Sequence, residues 1–211
     1  MTVTAHSGAF DTSDNTIENI TKVLEEKCDI IEMDVTFRKD GTPVIIHKDK
    51  PDDNEGVLLR DAFELVSSNE SILLNLDIKS TSNLPAVDAL LREYGLFDRA
   101  FYTGVFEDWV AVVKENSAVP YYLNLSVKRW RRNSRKTAEK AIEKIKKAGA
   151  VGMNVNYSNV TETLVSELHK NNIPISVWTI NDEKTAKRFI PLGVDNITTR
   201  KPDMIRKIMS E

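Results

Sequence analysis

Apolar positions along this chain follow two rhythms. Short runs rich in β-branched and aromatic residues read as strands at 3–7, 29–35, 43–47, 72–79, 100–105, 120–126, 152–157, 173–180 and 194–199. Between most of them the apolar residues return every three or four positions, the period of an amphipathic helix. The clearest case is RKTAEKAIEKIKKAGA at 135–150. There Ala138, Ala141, Ile142 and Ile145 share one face, and Gly149 is placed to end the helix. Strands alternating with helices predict a parallel sheet.

Nine strands are one too many for an eight-stranded barrel. The segment MDVTFRKDGTPVIIH resolves the excess, because Asp40-Gly41 between two β runs is a strong hairpin signal. A two-residue turn joins only antiparallel strands. Residues 43–47 are therefore expected to fold back on the strand before them rather than to enter a barrel. Eight parallel strands remain, which predicts a (β/α)8 TIM barrel with a hairpin inserted after its second strand. With 211 residues the chain is near the lower limit for that fold. No low-complexity linker divides it, so residues 1–211 are expected to form a single domain. An open doubly wound sheet is the structural alternative.

The same hairpin places chemistry. With Asp40 and Gly41 as the turn, Lys39 pairs with Thr42 and Asp34 lies opposite His47. Glu32 shares the face of Asp34, since side chains alternate every two residues. Glu32, Asp34 and His47 should converge, and a one-residue slip should undo the convergence. In ILLNLDIK the same parity sends Leu74, Leu76 and Ile78 toward the helices and Asn75, Asp77 and Lys79 into the barrel mouth. Trp178 and the pair Asn154 and Asn156 sit near the ends of later strands, where barrels carry their sites.

Three carboxylates at Glu32, Asp34 and Asp77 need a counter-charge. All-oxygen ligation favours a hard divalent ion, Mg2+ or Ca2+, with Mn2+ as a further candidate. With Lys79 the charges then balance, which suits an anionic substrate such as a phosphodiester. The whole chain carries a net charge of −3, so no global field draws it to nucleic acid or an anionic membrane. Hydrophobic content of 41% and charged content of 29% are those of a globular protein with a core. The one cysteine, Cys28, excludes an internal disulfide. The first residues lack a signal-peptide pattern, and no apolar run nears the ~20 residues of a transmembrane helix. A cytoplasmic protein is expected.

These residues resemble the glycerophosphodiester phosphodiesterase family. The matching motifs are His6-Ser7-Gly8, Asp14-Asn15-Thr16, Glu32-Met33-Asp34, Lys39-Asp40-Gly41, His47, Asp77-Ile78-Lys79 and Trp178-Thr179-Ile180-Asn181. Gly193-Val194-Asp195 and Lys201-Pro202-Asp203 near the end are also similar. The resemblance implies a (β/α)8 barrel that hydrolyses a glycerophosphodiester to an alcohol and glycerol phosphate. It implies that Glu32, Asp34 and Asp77 hold the metal and that His6 and His47 are an acid–base pair. Lys79 would contact phosphate, and Trp178 would line the glycerol side of the pocket.

The departures bear on substrate. The family pattern has His-Arg-Gly, whereas this chain has Ser7, which puts a hydroxyl where an arginine would meet phosphate. Asp14 and Asp77 stand for glutamates, Lys48 for an aspartate, and an acidic run of Asp49, Asp52, Asp53 and Glu55 follows. The basic loop KRWRRNSRK at 128–136 follows a strand at the mouth, so Arg129, Arg131 or Arg132 is a candidate to replace the missing arginine.

Taken singly, the same residues have plainer readings. His6 could be a satisfied loop histidine, Trp178 core, and the basic loop a solvated segment. Asn15 and Thr16 read as caps of the following helix. His169 reads as structural, near a helix C-terminus that favours a cation. Two other functions compete: a phospholipase C- or D-like enzyme on a lysolipid headgroup, and a degenerate barrel that binds phosphorylated ligands without turnover. The first would want an apolar ridge at the mouth, and no strong one is legible.

Overall fold

The computed structural model describes residues 1–127 and 133–210. Within them lie ten strands and eight α-helices. Eight strands are parallel staves: β1 (Thr2–Ala5), β2 (Ile30–Phe37), β5 (Leu73–Ile78), β6 (Ala100–Val105), β7 (Tyr121–Asn124), β8 (Gly152–Asn156), β9 (Ile175–Trp178) and β10 (Asn196–Thr199). They hydrogen-bond in that order, and β1 pairs with both β2 and β10, so the sheet closes into a barrel. The expected (β/α)8 fold is present, and the open sheet is excluded by the closing pair.

A helix follows each stave or its attached loop: α1 (Ile17–Glu25), α2 (Leu59–Ser67), α3 (Leu84–Glu93), α4 (Val110–Asn116), α5 (Arg135–Ala148), α6 (Glu162–Lys170), α7 (Glu183–Phe189) and α8 (Pro202–Met209). On α5 the buried residues include Ala138, Ala141, Ile142 and Ile145, and Gly149 ends the helix in the left-handed conformation at φ 70°. No described helix is long and apolar enough to cross a membrane.

The apolar core lies between the strands and the helices. Leu74, Leu76 and Ile78 of β5 are buried there beside Ile31, Met33 and Val35 of β2. A second cluster gathers Leu123, Met153, Val155, Ile175 and Val177 against α5 and α6. The inside of the barrel is polar. Thr4, Asn75, Thr103, Asn154, Ser176 and Asn196 are all buried, where branched aliphatic side chains usually fill the layers. They satisfy one another across staves. Thr4 donates to Asn196 Oδ1 at 2.9 Å, and Asn196 Nδ2 donates to Ser176 Oγ at 2.9 Å. Asn154 Nδ2 donates to Asn124 Oδ1 at 3.1 Å.

The inserted hairpin is real, but its turn differs from the expected one. The strand β3 (Pro43–Ile45) pairs antiparallel with β2, Val35 opposite Ile45 and Phe37 opposite Pro43. The Arg38 N–H donates to the Thr42 carbonyl at 3.0 Å, so the loop is Lys39-Asp40-Gly41, three residues rather than two. Gly41 takes φ 85°, the left-handed position that a three-residue hairpin requires. Asp40 holds the turn by accepting from the Thr42 N–H at 2.8 Å. A two-residue strand not read from the sequence, β4 (Val57–Leu58), adds to the outer edge of β3.

Candidate active site

The residues expected from the sequence meet at the C-terminal end of the barrel. Glu32 and Asp34 project inward from β2, alternating with Ile31, Met33 and Val35 in the core. The register sets Asp34 beside Asp77 on the neighbouring stave. Carboxylate oxygens of Glu32, Asp34 and Asp77 lie within 4.8 Å of one another. Glu32 and Asp34 are buried, and Asp77 is partly so.

His47 reaches this cluster by a different route from the one the sequence suggested. In the observed register His47 is not opposite Asp34, because the three-residue turn shifts the pairing by one. The strand β3 ends at Ile45, and the Lys48 N–H bonds back to the Ile46 carbonyl at 2.9 Å. That tight turn swings His47 inward again, and its Nδ1 sits 3.1 Å from Asp34 Oδ2. The convergence therefore survives the slip. Two carboxylates of the acidic run that follows are paired, Asp52 with Lys39 at 3.1 Å and Glu55 with Lys48 at 2.5 Å, and Asp49 lines the cavity.

His6 lies just beyond β1. Its Nδ1 donates to the Ser7 carbonyl at 2.8 Å and stands 3.8 Å from Glu32 Oε2. Each histidine thus has Nδ1 engaged, which leaves Nε2 for chemistry. Ser7 is buried and does not line the cavity. Its N–H donates to Glu32 Oε2 at 2.8 Å, and its hydroxyl stands 3.4 Å from Asp34 Oδ2.

Lys79 follows β5. Its ammonium pairs with Asp34 Oδ1 at 2.9 Å and with Asp77. Burial alone would lower the Lys79 pKa, but Asp77 and Asp34 outweigh it and raise the pKa above the usual range. Burial pushes Asp34 up, and Lys79, Asn15 and His47 together bring it below the ordinary aspartate value. Glu32 is held well above the usual carboxylate range, first by burial and then by the charges of Asp34 and Asp77. One ammonium does not neutralise three clustered carboxylates. The donors are all oxygen, so the site fits a hard divalent cation.

Sequence reading missed three parts of this arrangement. Asn15 is not a helix cap; Thr16 is, accepting from the Asn19 N–H at 3.2 Å. Asn15 instead grips Asp34, its Nδ2 donating to Oδ2 at 2.7 Å and its Oδ1 accepting the Asp34 N–H at 2.9 Å. The available signal was its place in the Asp14-Asn15-Thr16 motif. Thr103 lies 2.8 Å from Asp77 Oδ1 and 2.7 Å from Asn75 Oδ1, which fixes the carboxylate of β5 from β6. Finally, Phe106 and Trp109 line the cavity with ring centroids 6.1 Å apart in an edge-to-face pair. Phe106 is 50% exposed. This supplies an apolar rim that the sequence had not revealed.

The cavity has a volume of about 470 Å3 and is walled by both histidines, the three carboxylates and Lys79, with Trp178 on the side of β9. The Trp178 indole N–H is buried and has no hydrogen-bond partner among the described residues. Arg129, Arg131 and Arg132 lie outside the described residues. Arg135, from the end of the same basic stretch, is turned toward Glu139 and Glu167 at 3.4 and 3.6 Å. His169 lies in the last turn of α6 and pairs with Asp195 at 2.9 Å, away from the cavity.

Comparison with known proteins matches this geometry to one family. The sequence model of the glycerophosphoryl diester phosphodiesterase family matches residues 5–57 and 75–204. Every site residue named above falls within those spans. The chain is 26% identical over 242 residues to YhdW of Bacillus subtilis, covering 98% of this chain and 97% of that one. It is 25% identical over 236 residues to a glycerophosphodiester phosphodiesterase of Bacillus altitudinis, covering 94% and 93%. Among solved structures, an Oleispira antarctica phosphodiesterase in complex with sn-glycerol-3-phosphate superposes with a TM-score of 0.81 at 18% identity, over 100% of this chain and 97% of the other. With the fold, the ordered motifs and the matched spans in agreement, the chain belongs to the glycerophosphoryl diester phosphodiesterase family.

Proposed function

We propose that this protein hydrolyses glycerophosphodiesters to an alcohol and glycerol phosphate, with His6 and His47 as its acid–base pair. One observation carries the reading. Two histidines from the loops after separate strands, each tethered through Nδ1, face one cavity beside three clustered carboxylates and a lysine. Glu32, Asp34 and Asp77 would hold Mg2+ or Ca2+, which when bound would polarise the phosphoryl group and offset its growing charge. Lys79, held between Asp34 and Asp77, adds positive charge where nonbridging phosphate oxygens approach. One histidine removes a proton from the substrate's vicinal hydroxyl, which attacks phosphorus to give a cyclic phosphate, while the other gives a proton to the leaving alcohol oxygen; water then opens the ring with the two roles reversed. Each transfer is worth ~10²–10⁴ in rate. Trp178 bounds the side of the cavity that receives the glycerol moiety.

The test is release of glycerol phosphate from glycerophosphocholine and related diesters, with and without chelator. Activity should need a divalent ion. His6→Ala and His47→Ala should each lower turnover by ~10² or more while the fold persists. Near-wild-type turnover in either variant would refute the pairing.

The aromatic rim of Phe106 and Trp109 favours a second reading, in which the glycerol carries an acyl chain, as in a lysophospholipid. Release of the headgroup, as free alcohol or as its phosphate, from a lysophospholipid beside glycerophosphocholine decides between them. Hydrolysis faster than that of the water-soluble diesters, lost in Phe106→Ala, would favour the lipid substrate.

A further inference from the structure

We infer that Arg200 is a positioning residue that sets the His6 loop from the far end of the chain, acting across the seam where β10 meets β1. The inference rests on the reading of His6 as an acid–base group. Arg200 follows β10. Its Nε donates to the Ser7 carbonyl at 3.2 Å, and its Nη2 donates to Asp14 Oδ2 at 2.7 Å. The Ser7 carbonyl is the same oxygen that accepts His6 Nδ1–H at 2.8 Å. A carbonyl has two lone pairs, so both donors are accommodated. Imidazole and guanidinium therefore share one acceptor, and the place of that acceptor sets which way Nε2 of His6 points into the cavity.

The other arm of the guanidinium holds Asp14. A Cβ on Gly8 would stand 2.0 Å from Asp14 Oδ1, so Asp14 is pressed against the loop of His6 on one oxygen and held by Arg200 on the other. Asp14 precedes Asn15, whose amide grips Asp34 twice. Asn15 is held on Asp34 by its own two hydrogen bonds, so the Arg200–Asp14 pair serves to anchor the guanidinium beside the loop of His6.

The path of this loop needs such a tie. Gly8, Phe10, Asp11 and Asn15 all have φ between 54° and 78°. A bulky residue such as Phe10 adopts that region only when its surroundings impose it. The backbone of Arg200 takes part as well: its carbonyl accepts the Phe10 N–H at 3.1 Å, and its own N–H donates to Asn181 Oδ1 at 2.8 Å. Arg200 does not line the cavity, so its influence on turnover runs through His6 and not through contact with phosphate. The sequence lacks an arginine at position 7, and the guanidinium beside that position comes from residue 200 instead.

A planar fork reaches both acceptors at once, which a lysine ammonium does not. The Arg200–Asp14 pair is also half-exposed, and such pairs add little to stability. A loss of rate without a matching loss of melting temperature therefore separates positioning from simple structural support.

The experiment uses the full chain with its divalent ion and a glycerophosphodiester substrate. Arg200→Ala, Arg200→Lys and Asp14→Asn are compared with wild type, His6→Ala and the double variant Arg200→Ala/His6→Ala. The expected result is a ~10–100-fold fall in kcat for Arg200→Ala with KM unchanged, since small displacements of catalytic groups cost that much. Arg200→Lys and Asp14→Asn should fall between. In the His6→Ala background, Arg200→Ala should add less than about twofold. Wild-type kcat in Arg200→Ala, a change confined to KM, or a full additional loss in the His6→Ala background would overturn the inference. If Arg200→Ala does not fold, Asp14→Asn and Arg200→Lys decide by the same criteria. An impaired His6→Ala beside an unimpaired Arg200→Ala rejects this inference alone. An unimpaired His6→Ala rejects the acid–base reading and this inference with it.

Discussion

Asn15 shows how much one amide can fix. It sits at φ 54°, which asparagine tolerates better than most residues. From there its two polar atoms meet both the side chain and the backbone of Asp34. In Asn15→Asp the group that donates to Asp34 Oδ2 at 2.7 Å becomes a carboxylate. Two like charges then face each other in a buried site. Turnover should fall by ~10² or more, measured as kcat at saturating divalent ion, while circular dichroism stays that of the folded chain. Cys28 gives a second prediction at this scale. Burial raises its thiol to about 11, and only 5% of the residue is exposed. At pH 8 the thiolate fraction is about 10⁻³, and the thiolate is the nucleophile. Alkylation by iodoacetamide should be at least about 100-fold slower in the folded chain than in urea. Equal rates would show that Cys28 is accessible.

At the scale of elements, β5 and β6 are coupled more tightly than their ladder alone requires. Gly104 of β6 has φ 74°, and a Cβ there would stand 2.5 Å from the Ile78 carbonyl and 2.8 Å from Asp77 Oδ1. The Gly104 N–H also donates to Asn124 Oδ1 at 3.0 Å. Gly104→Ala meets both a forbidden backbone region and a backbone clash. The cost should be about 3 kcal/mol or more. At roughly 2–4 °C per kcal/mol for a chain of this size, the melting temperature should drop by ~6–12 °C. Because the clash includes Asp77, activity at a temperature where the variant is folded should drop as well. The hairpin teaches a related lesson. Asp40-Gly41 announced a turn, but whether Lys39 belonged to the strand or the loop depended on Arg38. That guanidinium donates to the Glu55 and Gly56 carbonyls at 2.9 Å and so braces the longer loop from outside the hairpin.

At the scale of the whole molecule, burial of weak acids makes the fold sensitive to alkali. Tyr102 is fully buried between Asp88 and Ser117, and burial raises its phenol above the usual range. The Cys28 thiol is raised in the same direction. For both groups the folded pKa exceeds the unfolded one, so the unfolded chain loses its protons first. Their contribution is full below about pH 9 and is lost as pH rises, for Cys28 between about 9 and 11. The unfolding free energy from urea titrations should therefore fall from pH 8 to pH 10.5, by up to about 1.4 kcal/mol per pH unit for each group. A flat profile would contradict the assigned burial.

Much of this protein was legible in one dimension because strand parity is set by local sterics. The alternation in ILLNLDIK sends Leu74, Leu76 and Ile78 outward and Asn75, Asp77 and Lys79 inward whatever the rest of the chain does. The strand–helix rhythm likewise predicted a parallel sheet, the strand count left after the hairpin favoured a barrel over an open sheet, and the ordered motifs pointed to its family. Three things waited on the tertiary structure. The polar barrel interior depends on which inward residues share a layer, and that follows from the stagger between staves. The apolar rim of Phe106 and Trp109 depends on a loop conformation that no period encodes. The contacts of Arg200 with Ser7 and Asp14 span 193 and 186 residues, and they exist only because the last stave closes against the first. Local pattern determined which side chains face inward; closure of the barrel decided which of them meet.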